Sequence, residues 1–254
     1  MNGWVFCCIL FVAATRSCYG LCQFPPELWC SSPEIIQTCQ VSDQCSDWSC
    51  VSQADAKPID VVIYYKSFCR KCSDFIDDHL DLAHKEIGEI MNLRFIPIGN
   101  TEERRVGERS KFTCAGGEEQ CSLNLLQACA IELVKDMSLQ FPLIECMMKT
   151  SSSPENIARS CASDVGIDGE EIISCSKGDL GYRLEQLMST QTYAHRTTED
   201  SYYPLVIVNG GYLYDSNEIS EAEFLNTLCQ TYKGPFPFGC RMSQSAPTHT
   251  CQKA

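Results

Sequence analysis

Two cysteines separated by two cations, Cys69-Arg70-Lys71-Cys72, are the residues of this chain best suited to covalent chemistry. A thiolate attacks a disulfide sulfur, and a second thiol within reach then completes the exchange. An apolar, β-branched run (Val61, Val62, Ile63, Tyr64, Tyr65) leads into the pair, and a helix-compatible run follows (Ser73, Asp74, Phe75, Ile76, Leu80, Leu82, Ala83). That order places Cys69 at a helix N-terminus, where unsatisfied N–H groups and the helix dipole favour an anion. Arg70 and Lys71 add positive charge that would stabilise the thiolate. At pH 5 a thiol of ordinary pKa, about 8.5, is only about 0.03% ionised, whereas one lowered to about 6 is roughly 9% ionised. The same cations favour the reduced pair and make the couple more oxidising, so the motif alone leaves the direction of electron flow open. The expected roles are Cys69 as nucleophile at the turn and Cys72 as resolving thiol one helical turn on. The pair also reads as an inert structural bridge. A zinc site fits poorly: the chain has four histidines, no second CxxC and a composition that favours disulfides.

The elements that must position this pair sit in a chain of 254 residues, long enough for one good core. Its nineteen cysteines point to an oxidising compartment where most of them pair. Met1-Asn2-Gly3 precedes an apolar run from Trp4 to Ala14, and Cys18-Tyr19-Gly20 ends on a small residue. Residues 1–20 therefore read as a secretory signal peptide, and no later segment is apolar enough to span a membrane. Cleavage after Gly20 would remove Cys7, Cys8 and Cys18 and leave 16 cysteines. The formal charge of −13, with no cluster of Lys and Arg, argues against nucleic acid or an anionic membrane as the main partner.

Residues 21–50 form a cysteine-dense segment with Cys22, Cys30, Cys39, Cys45 and Cys50, and 51–58 read as a linker. Within it, Pro26-Glu27-Leu28-Trp29-Cys30 followed by Cys39 and Cys45 resembles the saposin A-type domain. Beyond the first strand and helix, Leu93–Ile98 reads as a second strand, with Pro97 at an edge or strand end. Asn100–Lys111 is charged and expected to be exposed. Apolar spacing from Cys121 to Lys149 predicts a helix interrupted near Pro142. Further helices are expected from Pro154, with Ser153 as N-cap, and over Gly181–Gln191. Tyr203-Pro204-Leu205-Val206-Ile207-Val208 is a β-rich run, Asn209-Gly210-Gly211 a hairpin turn, and Ser220 with Glu223 a capping box for a last helix over Glu221–Tyr232. Strand–helix–strand, a helical block, strand–turn–strand and helix make a thioredoxin-like α/β layout, disulfide-rich, with a helical insertion over about 100–195. The plan is similar to that of periplasmic DsbA-type oxidoreductases. The domain should cover 59–240, followed by a polar tail at 241–254.

Cys114-Ala115-Gly116-Gly117-Glu118-Glu119-Gln120-Cys121-Ser122-Leu123-Asn124, closing on Cys129, makes the resemblance specific. It resembles the signature of the gamma-interferon-inducible lysosomal thiol reductase family: Cys-Gln-His-Gly, two residues, Glu-Cys, two residues, Asn, four residues, Cys. Cys114, Gly117, Cys121, Asn124 and Cys129 fall in register, while Ala115, Gly116 and Gln120 depart from it and mark a divergent member. The Tyr64–Cys72 lead-in, Cys146, Cys161 and Cys175, the Tyr203–Gly210 stretch, and Leu228–Gly234 with Cys229 and then Cys240 resemble further family blocks.

The resemblance implies a thiol reductase that breaks disulfides in protein substrates in endosomes and lysosomes at acidic pH. It implies Cys69 as nucleophile, Cys72 as resolving thiol, and Pro204, preceded by Tyr203, as a cis-proline facing the pair on the substrate side. No bound cofactor is expected, only an external thiol reductant such as cysteine or glutathione. Structural disulfides are expected among Cys22, Cys30, Cys39, Cys45, Cys114, Cys121, Cys129, Cys146, Cys161, Cys175, Cys229 and Cys240, with connectivity open. The chain has no Asn-x-Ser/Thr sequon, so plain secretion stands beside lysosomal or endosomal delivery within the secretory pathway. The rival readings are a secreted disulfide oxidase or isomerase, and a non-catalytic cysteine-rich extracellular binding protein.

Overall fold

In the computed structural model the apolar run ahead of the cysteines forms strand β1 (Ile59–Tyr65). The structure describes residues 56–97, 101–107, 109–194, 203–213, 219–234 and 237–242, together with Trp29, Ile36, Gln40, Val41, 48–49 and 252–253. The expected signal peptide, Cys22, Cys30, Cys39 and Cys45, and most of the expected linker and polar tail lie outside the described residues. Two units divide the chain. One comprises Pro58–Tyr232 with Pro237–Ser243, and the other comprises Met1–Lys57, Lys233–Phe236 and Gln244–Ala254. In the second, Trp48–Ser49 pairs antiparallel with Gln252–Lys253. All that follows concerns the first.

Strand β1 is buried on both faces. Val61, Ile63 and Tyr65 are fully covered on one side, and Val62 and Tyr64 are buried on the other. A strand covered on both faces must be apolar almost throughout, which is what the sequence of β1 provides. It pairs in parallel with β2 (Met91–Pro97), with Ile63 opposite Phe95, and antiparallel with β5 (Leu205–Val208), with Ile63 opposite Val206. Strand β6 (Gly211–Tyr212) completes a four-stranded sheet in the order β2-β1-β5-β6. Pro97 ends edge strand β2, where its missing N–H interrupts no ladder. The β5–β6 turn uses Asn209 and Gly210 with φ of 48° and 81°, the positive pair that a tight two-residue hairpin requires. Asn209 also locks the turn to β1, its Oδ1 accepting from the Asp60 N–H at 2.9 Å.

The helix after β1 runs as α1 (Arg70–Asp74), a π-helical segment (Phe75–Leu80) and α2 (Asp81–Ile87). Phe75, Ile76, Leu80, Ala83 and Ile87 are all buried, so one face of the whole stretch is core. It packs with α8 (Glu221–Thr231), where Phe75 meets Phe224 edge-on at 5.2 Å. Helix α8 opens on the expected Ser220–Glu223 capping box.

Between β2 and β5 the described residues make a hairpin and then five helices. The hairpin, β3 (Thr101–Val106) with β4 (Arg109–Cys114), corrects the expectation of a wholly helical insertion. Its charged strand β3 is exposed over most of its length, so no apolar alternation betrays it. The helices are α3 (Glu118–Leu133), α4 (Met137–Lys149), α5 (Pro154–Asp164), α6 (Gly169–Lys177) and α7 (Asp179–Ala194). The break expected near Pro142 falls instead at Val134–Asp136. Asp136 caps α4 by accepting the Ser138 N–H at 2.9 Å, while Pro142 sits inside the helix. Gln140 stabilises the break by donating to the Ile131 and Val134 carbonyls that α3 leaves unpaired at its end. Disulfides join α3 to α6 (Cys129–Cys175), α4 to α5 (Cys146–Cys161), and α8 to α9 (Phe238–Met242) through Cys229–Cys240. Among the described residues no helix is long and apolar enough to cross a membrane.

Candidate active site

Cys69 and Cys72 form a disulfide at the junction of β1 and α1, with Cα atoms 5.2 Å apart. Cys69 is the N-cap residue of α1, and its sulfur accepts the Cys72 N–H at 3.2 Å. Its carbonyl accepts the Ser73 N–H at 3.0 Å, which starts the helix. Cys72 points into the core and is fully buried, whereas Cys69 is only half-buried. An attacking thiolate or a substrate disulfide can therefore reach one sulfur of the pair and not the other. A sulfur at an N-cap faces unpaired backbone N–H groups, which favour it as an anion.

The two intervening cations are not equivalent. Arg70 is turned back along the helix, its Nε donating to Asp74 at 2.7 Å, so its charge is largely matched by a neighbour. Lys71 is exposed and makes no ion pair among the described residues. Of the charges that the sequence places beside the sulfur, Lys71 is the one left uncompensated among the described residues. A third cation, Lys66, lies over the Tyr203 ring, with Nζ 5.8 Å from its centre.

Tyr203 and Pro204 come to the pair from the far end of the chain. Their peptide bond is cis, both residues are buried, and the Tyr203 carbonyl oxygen is 3.9 Å from the Cys69 sulfur. The strand β5 that follows is hydrogen-bonded to β1, which leads to Cys69, so sheet register brings the two segments together. The residue directly before Cys69 is Phe68, at φ 56° and 47% exposed. A large side chain at positive φ is uncommon and is held by its surroundings.

Those surroundings come from α3, whose Asn124 and Gln120 the sequence placed only in and out of register, respectively, with the family signature and not at the site. Ser67 is fully buried; Asn124 Oδ1 accepts its N–H at 2.8 Å and Gln120 Nε2 donates to its carbonyl at 2.8 Å. The Cys114–Cys121 disulfide ties the end of β4 to the first turn of α3, and Asn124 Nδ2 lies 3.9 Å from the Cys114 sulfur. Gly117 caps α3 at φ 85°, ψ −171°, a conformation open essentially to glycine alone. The signal that could have exposed the clamp is the run of carboxamides Gln120, Asn124 and Gln127 at helical spacing on a face whose other buried residues are apolar. No group of three His, Cys, Asp or Glu side chains among the described residues could hold a metal ion.

A half-buried dithiol at a helix start, facing a cis-proline at the start of a sheet strand, is the arrangement of a thiol–disulfide oxidoreductase of thioredoxin-like fold. A candidate protein disulfide isomerase from Nitrosomonas europaea shares that fold, with a TM-score of 0.51 at 12% identity over 69% of this chain and 97% of its own. The family model for gamma interferon inducible lysosomal thiol reductase matches residues 60–165. A gamma-interferon-responsive lysosomal thiol protein of Arabidopsis thaliana is 32% identical over 186 residues, 72% of this chain and 76% of its own. The gamma-interferon-inducible lysosomal thiol reductase of Carassius auratus is 28% identical over 221 residues, 86% of this chain and 84% of its own. The chain belongs to the gamma-interferon-inducible lysosomal thiol reductase family, and it is an enzyme of thiol–disulfide exchange.

Proposed function

We propose that this enzyme reduces disulfide bonds of protein substrates, at acidic pH, through Cys69 and Cys72. The observation that carries the reading is the accessible Cys69 sulfur, 3.2 Å from the Cys72 N–H and 3.9 Å from the Tyr203 carbonyl. In the reduced enzyme the Cys69 thiolate attacks one sulfur of the substrate disulfide. A Cys69–substrate S–S bond forms, and the second substrate sulfur leaves as a thiolate that takes up a proton. The Cys72 thiolate then attacks the Cys69 sulfur, which releases the first substrate sulfur as a thiol and leaves the Cys69–Cys72 disulfide. Two molecules of an external thiol, cysteine or glutathione, restore the dithiol and leave as their own disulfide. Lys71, and Arg70 to the extent that Asp74 leaves it free, support the attacking anion, and Tyr203 and Pro204 border the substrate.

Two relatives carry 'lysosomal' in their names, and this supports, with the cysteine content and the N-terminal apolar run, entry into the secretory pathway. The destination is the lysosome or endosome, or the extracellular space. The spacing of Cys22, Cys30, Cys39 and Cys45 supports reading residues 21–50 as a saposin A-type segment ahead of the enzyme domain.

The test is reduction of a denatured, disulfide-bonded protein at about pH 5, with cysteine as reductant, where the uncatalysed reaction is slow. Wild type should exceed Cys69→Ser clearly. Equal rates would remove the reductase reading.

A further inference from the structure

Both backbone polar groups of Ser67, two residues before the accessible sulfur, are held by side chains from one face of α3. Ser67 is fully buried, and Gln120 and Asn124 are 5% and 3% exposed, so water cannot replace either bond. Gln120 acts in two directions at once. Its Nε2 donates to the Ser67 carbonyl at 2.8 Å while its Oε1 accepts the Gly116 N–H at 3.0 Å. One partner can only accept and the other can only donate, which fixes the orientation of the carboxamide. Gly116 makes room for it: a Cβ there would lie 2.8 Å from both Cδ and Nε2 of Gln120. Ala115, Gly116 and Gln120 are the three departures from the family signature, and two of them are thus parts of one contact.

We propose that Gln120 is a positioning residue for disulfide exchange. It holds the Ser67–Cys69 lead-in so that the Cys69 sulfur stays between the Cys72 N–H and the Tyr203 carbonyl. This rests on the reading of Cys69 as the attacking sulfur. Residue 120 must both donate and accept, which a carboxamide does at any pH. A carboxylic acid could do so only while protonated, because an ionised carboxylate has no hydrogen to give the Ser67 carbonyl. The charged groups flanking these contacts are Lys66 on the lead-in and the exposed Glu118 and Glu119 on α3; the Cys114–Gly117 turn carries none.

The experiment uses the full chain and two readouts between about pH 4.5 and about pH 8: turnover of a disulfide-bonded protein, and alkylation of Cys69 in the reduced enzyme. Gln120→Glu should match wild type where the new carboxyl is protonated, and its ratio to wild type should fall about tenfold as the carboxyl ionises. Gln120→Met should be slower by a similar factor at every pH, in kcat more than in KM. Gly116→Ala, which displaces the Gln120 side chain, should slow the enzyme likewise and add little in combination with Gln120→Met. A Gln120→Glu ratio that is constant with pH, or Gln120→Met equal to wild type, would overturn the proposal. If near-UV circular dichroism shows Gln120→Glu unfolding near neutrality, the two uncharged variants decide the matter by the same criteria. Failure of the reductase reading itself would show separately, as wild-type turnover no faster than Cys69→Ser, and Cys69 alkylation would still report on the lead-in.

Discussion

Two disulfides of this domain differ in almost everything but the bond itself. Cys69–Cys72 spans three residues and presents one half-buried sulfur at the sheet–helix junction. Cys129–Cys175 spans 46 residues and joins α3 to α6 with both sulfurs buried. Chain entropy assigns the long bridge about 4 kcal/mol of stabilisation and the short one about 2 kcal/mol. Exchange requires a thiolate to approach a sulfur in line with the S–S bond, which burial prevents at Cys129–Cys175 and the open turn permits at Cys69. Cysteine type and number say nothing of this division. The surroundings decide it, with one bond serving the fold and the other left within reach of chemistry.

The sharpest way to break the contrast is to remove each bond in turn. Cys69→Ser should bring turnover of a disulfide-bonded protein down to the uncatalysed rate, while the loss of stability stays within about 2 kcal/mol, read by thermal melting. Replacing Cys129 and Cys175 together by serine should do the opposite. Stability should fall by about 2–5 kcal/mol and the melting temperature by about 5–15 °C, with turnover preserved below the melt. If the second variant lost activity while folded, or the first lost its fold, the assignment of roles would be wrong.

A smaller effect concerns the ground between the hairpin and α7. There Tyr182 Oη accepts the Ser110 N–H at 2.8 Å, and Ser110 Oγ donates to Glu103. Burial, with a further push from the Glu103 carboxylate, raises the pKa of Glu185 from 4.5 to about 7. The folded chain keeps a proton there that the unfolded chain gives up above about pH 4.5. This contribution to stability is therefore whole below about pH 4.5 and is lost as pH rises to about 7. Glu185→Gln should melt with wild type in acid and above it at neutral pH; a gap that does not change with pH would contradict the prediction. The smallest effect expected is at the two cations. Lys71→Ala should slow alkylation of Cys69 in mild acid more than Arg70→Ala does, since Asp74 already matches the Arg70 charge. Equal slowing would show that the ion pair does not shield the sulfur.

The strand, the dithiol turn and the helix after it were legible because each announces itself locally: a β-branched run, a CxxC and a buried stripe at helical spacing. The capping box at Ser220–Glu223 and the Asn209-Gly210 turn were legible for the same reason. What was hidden is either masked by charge or distant in sequence. The first strand of the β3–β4 hairpin is Thr-Glu-Glu-Arg-Arg-Val, with so little apolar alternation that it reads only as a charged, exposed stretch. The helix break fell at Val134–Asp136 because an Asp N-cap and a Gln140 bridge serve an interruption better than a proline that the helix can absorb. Gln120 and Asn124 grip a residue 53 and 57 positions away, and no local pattern encodes a partner at that range. The cis geometry at Pro204 was equally beyond local reading, since most X-Pro bonds are trans.

The most direct test of the central claim is capture of the mixed disulfide. Cys72→Ser enzyme, reduced and mixed with a denatured disulfide-bonded protein in mild acid, should accumulate a covalent adduct that dithiothreitol releases. Peptide mapping should place the substrate on Cys69. The corresponding Cys69→Ser enzyme should form none, because the remaining thiol of the pair, Cys72, is buried. An adduct on Cys72 in the Cys69→Ser enzyme, with none on Cys69 in its counterpart, would contradict the account.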